Sequence, residues 1–120
     1  MAAVKQQQRQ QLETQAAALQ KLQKDISKNH QVRRQYTIQH GENEMVLKEL
    51  ELLDEEANVF KLIGPVLVKQ DLVEARTNVK KRIEYIAAEL KRLDGALKNL
   101  EEQSNSKREE FMKLQQRLAN

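Results

Sequence analysis

The alternation of apolar and polar positions divides the chain into two long helical stretches around one short interruption. In the first stretch a seven-residue frame puts Leu12, Leu19, Ile26, Arg33, His40, Leu47 and Asp54 at position a, and Gln15, Leu22, Asn29, Tyr36, Asn43, Leu50 and Ala57 at position d. Eight of these fourteen are apolar, counting Tyr36 and Ala57, and no proline breaks the run. A seam sustained over this many heptads predicts a coiled-coil helix at about residues 5–57. Asn29, Arg33, His40 and Asn43 weaken its middle, and Gly41 in the same stretch costs up to about 1 kcal/mol relative to Ala, so bending or looseness is expected between Asn29 and Asn43. The second helix is expected at about residues 71–118, with Asp71 as N-cap and Glu74 three residues on in the manner of a capping box. Its seam is Ile83, Leu90, Leu97, Ser104, Phe111 and Leu118 at a, with Val79, Ile86, Leu93, Leu100, Lys107 and Leu114 at d. Ten of these twelve are apolar, and Gly95 falls at an outward position.

The interruption is Val59 to Gln70, VFKLIGPVLVKQ, which holds the chain's only proline. Two short β-branched runs flank Gly64-Pro65, a hairpin signal. Gly supplies the positive φ of the first central position of a type II′ turn and Pro the negative φ of the second; a wider loop around the same pair also fits. With the tight turn, Phe60, Leu62 and Leu67 share one face, and Val59, Ile63, Val66 and Val68 the other. Both faces are apolar, both edges are open, and a lone two-stranded hairpin is marginal in water. This hairpin is expected to join others.

The predicted fold is therefore mainly α: one domain over residues 1–120, a long antiparallel two-helix coiled coil joined by a single β-hairpin at residues 59–70. Antiparallel layers set an a residue against a d residue, leaving two registers whose facing numbers sum to about 126 or about 133. The second is preferred, because it opposes Asn29 with Ser104 and Leu22 with Phe111. The termini then meet at the end away from the hairpin. There Leu12, Leu19, Phe111, Leu114 and Leu118 form a fraying seam flanked by Val4 and Met112, a candidate surface for weak binding of non-native chains.

Composition narrows the chemistry. Only 3% of the 120 residues are aromatic and 32% are charged, as in long helices rather than in large cores. There is no cysteine, so disulfides, thiol catalysis and Cys-based zinc sites are excluded. His30 and His40 lie in no metal-ligand spacing, and Gly41, Gly64 and Gly95 form no phosphate loop, so no catalytic residue, cofactor or metal is expected. No apolar run reaches the length of a membrane span, and a soluble, cytoplasmic protein is expected. Net charge is +3, but it is blocked: residues 1–40 carry seven basic and two acidic side chains, residues 41–56 seven acidic and one basic. Such blocks suit charge-matched neighbours. Lys80-Lys81-Arg82, without interleaved aromatics, reads as a solvated helix face rather than a nucleic-acid site.

The segment VFKLIGPVLVKQDLVEARTNVKKRIEYI, Val59 to Ile86, resembles the hairpin and following helix of β-class prefoldin subunits, and VLKELELLDEEAN, Val46 to Asn58, resembles the acidic lead-in to that hairpin. A single hairpin between the helices, where the α class carries two, is what assigns the class. The resemblance implies a heterohexamer with two α-class and three further β-class subunits, whose hairpins close into a double β-barrel platform from which coiled coils hang. On this reading Val59, Phe60, Leu62, Ile63, Gly64, Pro65, Val66, Leu67 and Val68 form the oligomerisation hairpin. It further implies an ATP-independent chaperone whose tips hold unfolded proteins, such as actin and tubulin chains, and pass them to the cytosolic group II chaperonin. The basic, Gln-rich start, Met1 to Gln11, departs from a strongly hydrophobic tip. The competing reading is a coiled-coil adaptor that joins an assembly and holds no client.

Overall fold

The heptad frame reappears in which side chains lose solvent. A computed structural model of the chain describes residues 2–120, as helix α1 (Ala2–Leu52), strands β1 (Val59–Ile63) and β2 (Val66–Gln70), and helix α2 (Leu72–Ala119). Every a and d residue from Leu12 to Leu50, and again from Val79 to Leu118, is at least partly buried. Helical structure continues through Gly41 and the weak middle of the first seam. Gly41 and Gly95 are exposed, with open space where a Cβ would stand.

The chain divides into two compact units. In the terminal unit, residues 2–32 and 93–120, the most covered side chains are Leu93, Leu97, Ser104 and Leu114, all on α2. In the hairpin unit, residues 33–92, Leu50, Leu72 and Ala75 cluster, with Val59 and Val79 packed against them, and Ile86 is 2% exposed. Within each unit α2 supplies most of the buried aliphatic surface. Polar seam residues of α1 such as Asn29 and His40 keep partial contact with solvent. His40 Nδ1 lies 3.2 Å from Glu44 Oε1.

Helix α1 ends at Leu52, about five residues earlier than the periodicity predicts. Its C-terminal end bears the negative pole of the helix dipole, yet the last turn has no basic residue and Asp54-Glu55-Glu56 follows. The chain turns instead: Ala57 N–H donates to the Asp54 carbonyl at 3.1 Å, and Glu56 N–H to Asp54 Oδ1 at 3.0 Å. The missing positive charge comes from α2. Arg76 donates through Nε and Nη2 to the Leu50 carbonyl at 3.0 and 2.8 Å, and through Nη2 to the Leu53 carbonyl at 3.0 Å. A guanidinium thus caps the end of another helix. At the start of α2, Asp71 acts as N-cap as expected: Oδ2 accepts from Glu74 N–H at 3.3 Å and its carbonyl from Ala75 N–H at 2.9 Å.

These contacts also correct the preferred register. In the hairpin unit Arg76 meets Leu50, and in the terminal unit Gln15 Nε2 donates to Glu110 Oε2 at 3.3 Å, so facing numbers sum to about 126 and 125, not 133. Asn29 is therefore not opposed to Ser104, nor Leu22 to Phe111. The cause is the connection. Facing strand residues sum to 129, but six residues (53–58) separate α1 from β1 while Asp71 alone separates β2 from α2. Residues spent in the Asp54 turn lower the α1 number at a given height, which moves the sum below 129.

Replacing Arg76 with Ala is expected to destabilise the chain by about 1–3 kcal/mol, since three charge-assisted bonds are lost together. Arg76→Lys should recover only part, because an ammonium lacks the planar fork that sends both Nε and Nη2 to the Leu50 carbonyl. Thermal melts followed by helical circular dichroism check this; an Arg76→Ala melt matching the parent would remove the cap from the account.

Candidate functional site

The hairpin is built by its turn. Ile63 pairs with Val66, leaving Gly64-Pro65 as a two-residue loop, and Gly64 has φ +56°. A positive φ followed by proline's fixed negative φ is the II′ pattern, which matches the strand twist, so the tight form rather than a wider loop is adopted. The antiparallel register runs from Ile63↔Val66 to Val59↔Gln70. It places Phe60, Leu62, Leu67 and Lys69 on one face, and Val59, Lys61, Ile63, Val66, Val68 and Gln70 on the other.

Neither face is covered. Phe60, Leu62, Ile63, Val66, Leu67 and Val68 are 44–68% exposed, and only Val59, beside Leu50, Leu72 and Ala75, is half-buried. The sheet has two strands, so each strand has one unpaired edge. Full burial of an aliphatic or Phe side chain is worth about 1.5–3 kcal/mol, so six such residues form a large reserve for association. Open edges add unpaired backbone donors and acceptors that other strands can take up.

The residues named at the termini are less uniform. Leu114 is buried in the seam, Leu12, Leu19, Phe111 and Leu118 are partly covered by it, and Val4 and Met112 stand open. The groove between the helix ends here, about 630 Å³, is lined by Gln7, Gln10, Gln11, Gln15 and Arg117 among others, with Leu114 its sole aliphatic residue. Gln15 Oε1 lies buried there without a donor. This glutamine lining went unread, although Gln7, Gln11 and Gln15 recur at one-turn spacing in the sequence. Arg76 was also unread. Carrying the second frame back one heptad from Ile83 puts this cation at position a, on the seam.

Among the described residues no group of His, Asp and Glu is arranged to hold a metal ion. The one tyrosine shift is structural: the Tyr85 phenol beside Tyr36, together with partial desolvation, holds Tyr36 above the ordinary tyrosine range. No helix among them is long and apolar enough to cross a membrane.

Residues 13–117 match the family model described as prefoldin subunit. The chain belongs to the prefoldin subunit family. An Arabidopsis thaliana relative named prefoldin subunit 6 is 71% identical over 107 residues, covering 89% of this chain and 83% of that relative. The Homo sapiens protein of the same name is 53% identical over 97 residues, covering 81% of this chain and 75% of its own. The crystal structure of the prefoldin beta subunit from Thermococcus strain KS-1 shares the fold at a TM-score of 0.78, covering 86% of this chain and 90% of that one at 23% identity. The β-class resemblance read from the hairpin segment therefore holds, with the similarity directed to subunit 6. Membership makes this a prefoldin chaperone subunit, with other prefoldin subunits as its partners.

Replacing Leu62 and Val68 with Asp places one charge on each face of the hairpin. The doubly substituted chain should keep its helical circular dichroism and fail to join its partner subunits in co-purification. Normal incorporation would show that assembly uses another surface.

Proposed function

We propose that the chain works within a heterohexamer of two α-class and four β-class prefoldin subunits, in which its hairpin enters a β-barrel platform. The observation that carries this reading is the hairpin: six apolar side chains on two faces, exposed, with a free edge on each strand. A strand pair with open edges is a fragment of a larger sheet, and closure with further strands removes the edges and covers the face turned inward.

The terminal unit then holds unfolded chains, among them proteins of the actin and tubulin type, in the cytoplasm, and the complex passes them to the group II chaperonin without ATP. Val4, Leu12, Leu19, Phe111, Met112, Leu114 and Leu118 supply the apolar share of that grip. Buried Leu114 becomes available only when the helix ends fray. The glutamine-lined groove beside them adds side-chain amides, which pair with any exposed main chain and so suit a client of no fixed sequence. Several weak grips acting together give the affinity, as multivalency requires.

Removing residues 1–15 and 110–120 leaves the hairpin, the Arg76 cap and the seam from Leu19 to Leu100 untouched. The shortened subunit should assemble at normal stoichiometry and reduce capture of a denatured client only modestly. Shortening all the subunits' tips should abolish most of it, read as aggregation of the client in nucleotide-free buffer. Capture unchanged after truncating every tip would leave this subunit the role of an assembly adaptor.

A further inference from the structure

The outward row of α1, position f of the frame, changes character along the helix. In the terminal unit it reads Gln10, Ala17, Lys24 and Gln31, polar or small, as expected for a face turned to water. In the hairpin unit it reads Ile38, Met45 and Leu52, which are 61%, 66% and 86% exposed. Three large aliphatic side chains thus recur every seven residues, about 10 Å apart, on the side opposite the seam. Val46 at position g and Leu53, one residue past the end of α1, are 45% and 39% exposed and form a second row beside them. Between the two rows, at position c, stand the exposed Glu42 and Glu49, neither of them in an ion pair among the described residues. The corresponding row of α2 in this unit, Glu74, Lys81 and Ala88, carries no large apolar residue.

An apolar stripe threaded by carboxylates sets conditions on whatever covers it. A purely aliphatic partner would strip water from Glu42 and Glu49 without replacing it, which is costly. Lys and Arg meet both demands, laying their methylene stems along Ile38, Met45 and Val46 while their heads reach the carboxylates. The stripe ends at Leu52 and Leu53, where the chain turns into the hairpin, so it continues the surface proposed for assembly. This chain itself displays the complementary face: Lys80, Lys81 and Arg82 are exposed on α2, and with facing numbers summing to about 126 Lys81 stands at the height of Met45.

We infer that the Ile38–Met45–Leu52 face is a second subunit interface, covered by the Lys/Arg-rich outward face of the post-hairpin helix of a neighbouring prefoldin subunit. The contact is head-to-tail, α1 of one subunit against α2 of the next, and extends the assembly surface from the hairpin onto the base of the helices. It rests on the hairpin-platform reading and sharpens it, since charge on these faces helps to select which subunit sits beside which.

The test uses the complex reconstituted with its partner subunits and no client, with a photo-crosslinking residue at Met45. The expected product joins this chain to the post-hairpin helix of one neighbour, whereas the same probe at Lys24 gives no subunit product. Glu42→Lys with Glu49→Lys, both on the outer face, should leave helicity intact and lower affinity for the partner subunits by about tenfold or more, the scale of one lost or inverted contact. A Met45 probe that reacts only after unfolded protein is added would make the stripe a client surface and overturn the inference. Unchanged assembly of the Glu42→Lys, Glu49→Lys chain together with no subunit product at Met45 would also overturn it. Normal incorporation of the Leu62→Asp, Val68→Asp chain would sink the platform reading itself. Exclusion of that chain, with the stripe unreactive, would sink only the present inference.

Discussion

A two-residue turn between two five-residue strands makes a sheet too small to bury either of its own faces, and everything else in the chain is arranged around that constraint. Gly64 at φ +56° and Pro65 fix the turn, the turn fixes the register, and the register sends aliphatic or aromatic side chains to both sides. Only Val59 finds cover within the chain, against Leu50, Leu72 and Ala75. The remaining six stay exposed on a sheet with two open edges, and on the proposed reading further strands from other prefoldin subunits cover them.

The helices are tied to that hairpin by polar chemistry rather than by apolar burial alone. Three acidic residues after Leu53 stop α1, Asp54 bends the chain, and Arg76 supplies the cation that the end of α1 lacks. Because six residues are spent on one side of the hairpin and one on the other, the same short segment sets which seam residues oppose one another. Asp71 then restarts the helical ladder at once, with Glu74 N–H on its carboxylate.

The sequence is most legible where one physical cause acts alone. Seven-residue spacing identified every seam residue from Leu12 to Leu50 and from Val79 to Leu118, because burial against a single neighbouring helix leaves one stripe and nothing else to confuse it. The hairpin was legible from Gly64-Pro65 for the same reason: few backbones accept that pair. The end of α1 was misread because Ala57 happens to fit position d, so the apolar pattern ran on past the point where charge had stopped the helix. That error carried into the register, where matching Asn29 with Ser104 looked attractive although connection length decides it. At the termini, the apolar residues were visible, but their partial cover and the glutamine groove beside them depend on packing between segments about 100 residues apart.

Hydrogen exchange at the hairpin amides tests the central claim most directly. In the isolated chain each strand of residues 59–70 has one edge without a partner, so roughly half of its backbone N–H groups rely on water. In the complex assembled with its partner subunits, the account predicts strong slowing across residues 59–70. The seam of α2 around Leu93 and Leu97, already covered, should change little. Hairpin amides that exchange equally fast in both states would contradict the claim that assembly completes this sheet.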